Sequence, residues 1–388
     1  MIISDVKARI IKDSRGDDTI AVSVNNSDWA SSPNGKSVGK YETPSYYKNL
    51  KFCVAFLNKW DEGIVVERFE DLSNVEKTIC KKLKLKNARE FGANSLYAFE
   101  SAILKALASE TGKELFEVVG KNRRLPFPVG NVIGGGLHSS SLKERPNFQE
   151  FLVIPFSKKV SENVKIMNFI YSEVGKKLKI KKVNDEGAWL VSISDGEAIE
   201  VLNEIRKIAE KKFRVKVRIG IDVASSTLFD KNHYRYFNHS HNSDSQIFYM
   251  NNLISGFNLH YVEDPFEQND FVSFSKLNKN SGNKCLIVGD DLIATQYNRL
   301  AKSIQTNSIN AVIVKPNQNG SLLELKKIFE LCRLRKIKTI ISHRSGETID
   351  SGLADYAVGF GADYIKCGVA TKWREVKLER LIEIEKAI

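Results

Sequence analysis

The sequence predicts an α/β protein in which a small α+β domain precedes a barrel of the (βα)8 type. In the larger, C-terminal part, short apolar runs recur at steps of 41, 27, 25, 28 and 23 residues, and helical patterns fill the gaps between them. Each run also ends in a charged or polar residue, which is where a barrel carries its functional side chains. A doubly wound sheet shares this spacing, but it gathers ligands at one crevice and does not draw a charged residue from every strand end. The barrel is therefore the favoured fold.

The chain begins with a pattern typical of a small antiparallel sheet. Residues 6–11 and 19–24 alternate between apolar and polar side chains, and residues 13–18 form a polar turn between them. A glycine-rich polar segment follows at residues 31–40. Such a composition indicates a loop that follows the sheet.

A helical region and a pair of prolines mark the end of the first domain. Residues 75–119 carry apolar side chains at helical spacing. Pro126 and Pro128 interrupt any helix, because proline lacks the backbone donor that a helix needs. We therefore divide the chain into a first domain of residues 1–125 and a barrel domain of residues 126–388.

The composition excludes several classes of protein. The chain has 388 residues, of which 42% are hydrophobic and 27% are charged, so wholesale disorder is excluded. No apolar run approaches the ~18 residues of a membrane span, and the first residues are too acidic for a signal peptide. The five cysteines form no CxxC pair. Reduced thiols in a cytoplasm are therefore expected, rather than disulfides or a zinc site.

The net charge of +12 leaves two interpretations open. Lysine and arginine number 59 against 47 acidic residues, which suits either an anionic partner or a solvated surface. The lysine runs at residues 81–86 and 176–182 alternate with apolar residues, as exposed helix faces do. No aromatic interleaving marks a nucleic-acid module. The solvated surface is favoured, and a nucleic-acid partner is not required.

The polar ends of the apolar runs form one chemical group. In chain order these residues are Asp222, Glu263, Asp290, Lys315, His343 with Arg344, and Lys366. Three carboxylates at one place cannot all stay ionised without a cation, and hard oxygen ligands suit Mg²⁺. A single aspartate at a strand end is usually a helix cap, and a single lysine is usually a surface residue. Six such residues in succession favour a functional site.

The basic half of this group indicates chemistry on an anion. Lys315 and Lys366 place two ammonium groups close together and near a metal, which is expected to lower the pKa of a lysine and make it a base. Arg344 stands beside the hydroxyl of Ser345, and its guanidinium matches a phosphate or a carboxylate. The site is therefore predicted to bind such an anion on Mg²⁺ and to remove a proton next to a carboxylate.

Ten segments in chain order resemble motifs of the enolase family. They are residues 13–16 (Asp-Ser-Arg-Gly), 34–39, 131–138, 149–151, 185–187, 263–265, 289–292, 315–318, 342–348 (Ser-His-Arg-Ser-Gly-Glu-Thr) and 365–368. The resemblance covers the whole chain. It implies an enolase-like barrel after a smaller α+β domain, in a cytoplasmic lyase of glycolysis and gluconeogenesis that forms a homodimer or higher homo-oligomer.

The implied reaction is the reversible, Mg²⁺-dependent dehydration of 2-phospho-D-glycerate to phosphoenolpyruvate. By resemblance, one Mg²⁺ is held by Asp222, Glu263 and Asp290. Ser37 joins a second Mg²⁺ that arrives with the substrate. The partner is then a small phosphorylated anion, with no membrane involved.

The resemblance also assigns the remaining roles. Lys315 is the base, and Glu186, helped by Glu150, is the acid that protonates the departing hydroxide. This role requires a raised pKa of Glu186. Lys366 stabilises the enolate, and His343 is a further catalytic residue. The implied substrate-binding residues are His138, Gln149, Glu150, Arg344, Ser345 and Lys366.

Some positions depart from the family pattern and leave two alternatives. Lys36 stands beside the serine that would bind metal, Ala188 and Trp189 follow Asp185-Glu186-Gly187, and residues 371–375 are one residue short. A divergent relative that acts on a different hydroxy acid is the first alternative. A basic barrel with a non-catalytic binding role is the second.

A histidine-rich insertion offers a competing metal site. His233, His239 and His241 lie within a segment rich in asparagine and serine at residues 232–252. That composition favours a solvated loop between two barrel units over a metal site.

Overall fold

The N-terminal unit is a three-stranded sheet covered by helices. The computed structural model describes residues 1–36 and 39–388. Its first elements are β1 (Val6–Lys12), β2 (Asp18–Val24), β3 (Ala30–Ser31), α1 (Leu50–Leu57), α2 (Leu72–Leu83), α3 (Ala93–Thr111) and α4 (Leu115–Val119). β1 and β2 pair antiparallel from Val6 opposite Val24 to Lys12 opposite Asp18, and β3 adds to β2. The two predicted strands are confirmed within one residue at each end.

Burial in this unit follows the position of α3. β1 keeps partial alternation, with Val6 and Ala8 buried and their neighbours exposed. β2 is buried at every position after Asp18, because α3 packs against it. α3 is itself buried along most of its length and ends at Gly112, whose φ of 63° is left-handed. The predicted helical region is therefore divided into separate helices, of which α3 is the central one.

The barrel domain alternates strands and helices. Its elements are β4 (Phe127–Gly134), β5 (Glu150–Pro155), α5 (Val160–Leu178), β6 (Trp189–Leu190), α6 (Asp195–Phe213), β7 (Val217–Asp222), β8 (Phe229–Asp230), β9 (His233–Arg235), β10 (Ser240–His241), α7 (Ser243–Phe257), β11 (Tyr261–Glu263), α8 (Phe271–Ser281), β12 (Leu286–Gly289), α9 (Tyr297–Gln305), β13 (Ala311–Val314), α10 (Pro316–Asn319), α11 (Leu322–Arg335), β14 (Lys338–Ser342), α12 (Gly352–Phe360), β15 (Tyr364–Lys366) and α13 (Lys372–Ala387).

Within the described residues, eight strands close into a barrel in the order β4-β5-β7-β11-β12-β13-β14-β15. β15 pairs back onto β4 and completes the ring. The predicted barrel is confirmed, with one difference in strand direction: β5 runs antiparallel to both of its neighbours. The segment between β4 and β5 holds only a 3₁₀ turn at Gly136–Ser139. A parallel return needs a crossover connection, usually a helix, so the chain returns antiparallel here.

The strand ends match the predicted spacing. The six parallel strands after β5 end at Asp222, Glu263, Gly289, Val314, Ser342 and Lys366, each within one residue of the predicted terminus. The barrel interior is a separate apolar cluster drawn from the strands, which includes Val129, Leu152, Val288 and Ile313. This filled interior leaves the strand ends as the place for a site.

The histidine-rich insertion is ordered, contrary to the predicted loop. β8, β9 and β10 form a small antiparallel sheet, and α7 follows it. Tyr236 is buried in this unit and stacks on His239 with ring centroids 4.6 Å apart. His241 lies against Tyr249, with ring centroids 5.0 Å apart. These histidines therefore take part in aromatic packing.

None of the helices in the described part of the chain combines the length and the apolar content that a bilayer span needs.

Candidate active site

The predicted site residues meet at one rim of the barrel. Asp222 and Glu263 end neighbouring strands and lie opposite each other in the sheet register. Because β5 runs in the opposite direction, its first residue, Glu150, also lies level with Asp222. A cavity of about 280 Å³ opens at this rim, and its lining includes these predicted residues: His138, Gln149, Glu150, Glu186, Asp222, Asp290, Lys315, His343, Arg344, Ser345 and Lys366.

Of the predicted metal ligands that the structure describes, Glu263 is not part of that lining. Glu263 is fully buried and reaches the site through an ion pair with Lys366. Ser37, the predicted ligand of a second ion, lies outside the described residues.

Lys366 is surrounded by carboxylates. Its Nζ atom lies 2.6 Å from Oε2 of Glu150, 2.8 Å from Oε2 of Glu263 and 3.4 Å from Oδ2 of Asp222. Gln149 supports this arrangement, because its backbone N–H donates to the carbonyl oxygen of Asp222 at 2.8 Å. Burial acts to lower the pKa of Lys366, but the three carboxylates outweigh it and raise that pKa well above its ordinary value.

Lys315 forms a second ion pair on the rim. Its Nζ atom contacts Oδ2 of Asp290, and both side chains are largely buried. Burial acts to lower the pKa of Lys315, but the charge of Asp290 outweighs burial and the pKa is raised. The expected lowering of the lysine pKa values requires a bound metal and stays a prediction. Without metal, both ammonium groups contact carboxylates, which raise both pKa values.

Two acidic residues of the rim also have raised pKa values, but here burial is the main cause. Burial raises the pKa of Asp222 to about 6, with Lys366 opposing and Glu150 adding to the shift. Burial and the charge of Asp222 raise the pKa of Glu263 to about 7. These raised pKa values mean that the ionised carboxylates are disfavoured at this place, and a bound cation would stabilise them. The rim is therefore built to receive a cation.

A divalent cation fits the acidic rim. Among residues 1–36 and 39–388, Oε1 of Glu263 and Oδ1 of Asp290 accept no hydrogen bond although both atoms are buried. Carboxylate oxygens of Asp264, Asp290 and Asp291 lie within 4.8 Å of one another. Asp264, however, accepts the backbone N–H groups of Asp290 and Asp291 at 2.9 and 2.7 Å. Asp264 therefore positions the loop, while Glu263 and Asp290 offer oxygens of the kind that hard divalent cations bind.

Glu150 and Glu186 form a buried carboxyl pair beside the cation site. One atom of each lies within 4.8 Å of the other and of the His343 ring. Burial raises the pKa of Glu150 to about 8, with Lys366 opposing and Glu186 adding to the shift. Burial also acts to raise the pKa of Glu186, but His138 outweighs it and the pKa falls well below its ordinary value. The expected rise in the pKa of Glu186 is therefore wrong for this structure, because the charge of His138 outweighs burial at this carboxyl group.

A short turn presents Glu186 to the cavity. The side chain of Asn184 accepts the backbone N–H of Glu186 at 3.0 Å, and Gly187 has a left-handed φ of 84°. Asn131 of β4 approaches the Glu186 carboxylate at 3.5 Å. β6 pairs with β4 immediately after the turn and fixes its position at the rim.

Two histidines flank this pair in different charge states. Nδ1 of His138 lies 3.0 Å from Asp185, and Nε2 lies 3.8 Å from Glu186. Burial acts to lower the pKa of His138, but Glu186 and Asp185 outweigh it and raise the pKa to about 9. His343 is fully buried, and burial lowers its pKa well below the ordinary value. His138 is therefore a cation at neutral pH, whereas His343 is neutral.

Lys36 joins the loops at the cavity mouth. Its Nζ atom lies 3.3 Å from Oδ2 of Asp185 and donates to the carbonyl oxygen of Leu137 at 3.3 Å. Asp185 thus holds Lys36 with one oxygen and His138 with the other. This departure from the family pattern places an additional cation at the rim.

Arg344 and Ser345, the predicted anion-binding residues, lie side by side in the cavity lining. The guanidinium group of Arg344 donates to both carboxylate oxygens of Glu42 at 3.0 and 3.1 Å. The hydroxyl of Ser345 accepts from Arg15 at 3.1 Å. The loop that carries these residues is held close to the first domain, because a Cβ added at Gly346 would lie 2.3 Å from Asp13 Oδ2. Only glycine allows this close approach.

The other residues that depart from the family pattern contact the loops that carry residues of the rim. Trp189 stacks on Tyr171 of α5 with ring centroids 4.6 Å apart, and the Tyr171 hydroxyl donates to the Gly187 carbonyl at 2.8 Å. Arg374 is buried and donates to the Ser345 carbonyl at 3.1 Å. The altered segments at residues 188–189 and 371–375 therefore brace the loops that carry Glu186 and Ser345.

Sequence reasoning missed several residues of the site. The sequence patterns give no role to four residues that line the cavity, namely Glu42, Asp264, Asp291 and Gln318. Asp264 and Asp291 could have been found, because each adjoins a strand-end acid in the sequence. Glu42 carries no such signal, since it lies in a loop and its partner is 302 residues away.

Comparisons with known proteins identify the family of the chain. The family model described as "Enolase, N-terminal domain" matches residues 3–119, and "Enolase, C-terminal TIM barrel domain" matches residues 122–388. The enolase of Archaeoglobus fulgidus is 35% identical over 399 residues, which cover 99% of this chain and 97% of that protein. The enolase of Picrophilus torridus is 35% identical over 401 residues, covering 100% and 99%. The enolase of Natronomonas pharaonis is 34% identical over 402 residues, covering 99% of each. The resemblance inferred from the motifs is confirmed.

Proposed function

The chain belongs to the enolase family, and from this premise we propose how its rim residues dehydrate 2-phospho-D-glycerate reversibly to phosphoenolpyruvate. The observation that carries the proposal is the position of two lysines and a carboxyl pair around one cavity. A proton next to a carboxylate is barely acidic, so its removal needs fixed positive charge on one side and a base on the other. The rim offers both.

The proposal assigns the cation site to Asp222, Glu263 and Asp290. The buried Glu263 and Asp290 oxygens that accept no hydrogen bond from the described residues support this assignment. Mg²⁺ is the ion that this oxygen donor set suits, and once bound it would neutralise charge on the substrate carboxylate and compete with Lys315 for Asp290. A second Mg²⁺ that engages Ser37 is part of the proposal, although that residue lies outside the described residues.

Lys315 is the proposed base. Its ion-pair partner within the described residues is Asp290 alone, whereas Lys366 contacts three carboxylates. Asp290 is the contact that raises the pKa of Lys315. When a cation binds Asp290 this contact weakens, so the pKa of Lys315 falls more readily than that of Lys366. In this scheme Lys315 takes the α-proton, and Lys366 remains charged to stabilise the enolate.

The carboxyl pair is proposed to deliver the proton to the leaving hydroxide. Glu150 and Glu186 hold one proton between them near neutral pH, with Glu150 the stronger holder. Transfer within the pair supplies Glu186 with a proton as the hydroxide departs, so Glu186 acts as the acid and Glu150 as its proton source. His343 lies against both groups, and burial keeps its pKa well below the ordinary value, so it stays neutral.

The phosphate end of the substrate is proposed to bind Arg344 and Ser345. Arg344 supplies a planar guanidinium that matches phosphate oxygens, and Ser345 supplies a hydroxyl. Gln149 and the charged His138 face the same cavity and are assigned to substrate contacts. The substrate would then lie between this end and the lysines.

The proposal extends to organisation and setting. We assign the first domain to residues 1–125 and the catalytic barrel to residues 126–388. We also propose a cytoplasmic homodimer or higher homo-oligomer that acts in glycolysis and gluconeogenesis. Sedimentation of the purified protein tests the assembly.

The direct test is the formation of phosphoenolpyruvate from 2-phospho-D-glycerate by purified protein with Mg²⁺. Lys315→Ala is expected to lose turnover by at least about 10²-fold, in the range that positioned proton transfer contributes. Lys207→Ala, at an exposed position on α6, is the matched control and should retain activity. Wild-type protein that gives no product while another hydroxy acid is consumed would favour the divergent relative. Protein inactive on both would favour the binding role.

A further inference from the structure

The guanidinium group of Arg344 already carries an anionic partner from its own chain. Nη1 lies 3.0 Å from Oε2 of Glu42, and Nη2 lies 3.1 Å from Oε1. Nη1 also donates to Oδ1 of Asn317 at 3.1 Å. Both side chains of the ion pair are only 6% exposed, and both face the cavity. A phosphate group that is to bind Arg344 therefore meets a carboxylate in the same place.

Glu42 has further donors that remain when it releases Arg344. The backbone N–H of Gly39 donates to Oε1 at 2.9 Å, and the amide of Gln318 approaches the same oxygen at 3.5 Å. A buried carboxylate without any partner would be strongly destabilising. Because these donors stay in place, Glu42 can yield the guanidinium at moderate cost.

The ion pair also determines where the guanidinium points. A two-point contact between an arginine and a carboxylate fixes the plane of the guanidinium group. Arg344 is therefore held at the cavity wall before any anion arrives. When an anion binds Arg344, the contact with Glu42 must weaken. Glu42 therefore both orients the guanidinium group and competes with the anion for it.

We propose that Glu42 is a positioning residue that holds Arg344 in its binding geometry and competes with the substrate phosphate for it. This inference rests on the proposed function, which places the phosphate at Arg344. Glu42 thereby lowers the affinity for every anion at this end of the cavity. Weak anions are excluded, and a phosphorylated product is released more easily because Glu42 returns to Arg344.

The test compares sulfate binding by wild type, Glu42→Asp and Glu42→Gln, measured by calorimetry in buffer with Mg²⁺. Glutamine keeps an oxygen that accepts from the guanidinium but loses the competing charge, so sulfate should bind roughly tenfold more tightly. Aspartate keeps the charge but is one methylene shorter, so its gain should lie in between. Glu200→Gln, at an exposed position, controls for the loss of one negative charge.

The order of the sulfate affinities of wild type and the two Glu42 variants distinguishes competition from a purely structural role. Sulfate affinity that rises from wild type through Glu42→Asp to Glu42→Gln supports competition. If either folded variant binds sulfate as weakly as wild type or more weakly, Glu42 has only a structural role and the inference is wrong. Thermal unfolding verifies that each variant is folded, and either variant alone can decide.

Steady-state kinetics separates this inference from the proposed function. In Glu42→Gln the KM for 2-phospho-D-glycerate should fall several-fold while kcat does not rise, because only phosphate binding is strengthened. Normal turnover by wild type together with unchanged sulfate affinity in the variants overturns the role of Glu42 alone. A wild type without turnover overturns the proposed function, and the sulfate titration still decides what Glu42 does.

Discussion

The Nζ atom of Lys366 lies 2.8 Å from Oε2 of Glu263, although the two residues end strands on opposite sides of the barrel. The same ammonium group lies 2.6 Å from Glu150 and 3.4 Å from Asp222, on two further strands. None of these strands is a sheet neighbour of β15. One ammonium group therefore lies within ion-pair distance of carboxyl groups from three separate strands.

The first prediction follows from this arrangement. Lys366→Met should lower the free energy of unfolding without metal by about 3–5 kcal/mol, the usual cost of removing one partner from a buried ion pair. Mg²⁺ should restore part of that loss, because the carboxylates then share a divalent cation. Chemical denaturation with and without Mg²⁺ measures both effects. Lys207→Met, at an exposed position, is the control, and an equal loss in both conditions would contradict the prediction.

The second prediction separates the base from the acid. In D₂O, Glu186→Gln should still exchange the α-proton of 2-phospho-D-glycerate while its dehydration rate falls by at least about 10²-fold. Lys315→Ala should lose both, since proton removal precedes loss of hydroxide in the proposed scheme. Proton NMR follows the exchange, and phosphoenolpyruvate formation follows dehydration. Exchange lost equally in both variants would show that Glu186 is needed before the hydroxide leaves.

The third prediction concerns pH and His138. The pKa of this histidine is raised from 6.5 to about 9 by Glu186 and Asp185, with Glu150 adding, against the effect of burial. Its charged form therefore contributes stability that is fully present below pH 6.5 and is lost as pH rises through about 9. At about 1.4 kcal/mol for each tenfold change in proton affinity, the contribution is roughly 3 kcal/mol.

The measurement is the free energy of unfolding of wild type and His138→Gln from pH 6 to 10. The difference between the two proteins should be largest at pH 6 and should shrink toward pH 10. His233→Gln, at an exposed position outside the cavity, is the control and should show no such trend. A constant difference across the range would mean that His138 does not change its charge there.

The sequence predicts the barrel and most of the rim because both depend on local patterns. Asp222 and Lys366 end apolar runs, and parallel strands bring such ends together whatever the intervening loops do. The direction of β5 could not be predicted from those patterns, because an apolar run does not show whether its strand lies parallel or antiparallel to its neighbours. This reversal is what brings Glu150 level with Asp222.

Contacts between segments that are far apart in the chain account for the site features that sequence patterns do not predict. Glu42 and Arg344 are far apart in the chain, and no spacing rule connects them. Burial acts to raise the pKa of both Glu150 and Glu186, but it outweighs Lys366 at Glu150 and is outweighed by His138 at Glu186. These contacts form only when the loops and strands are folded together.

The last prediction concerns Lys36, which places a cation at the cavity mouth 3.3 Å from Asp185. The Lys36 side chain is 40% exposed, so Lys36→Ala should change the free energy of unfolding by less than about 1 kcal/mol. The KM for 2-phospho-D-glycerate should nevertheless rise a few-fold at low ionic strength, because a positive charge that attracts the substrate is lost. The rise should diminish at about 1 M salt, where the Debye length falls to ~3 Å.

Steady-state kinetics at both salt concentrations measures this rise in KM, with Lys40→Ala as the neighbouring control. A rise in KM that persists at high salt would show that Lys36 acts through loop packing and not through its charge.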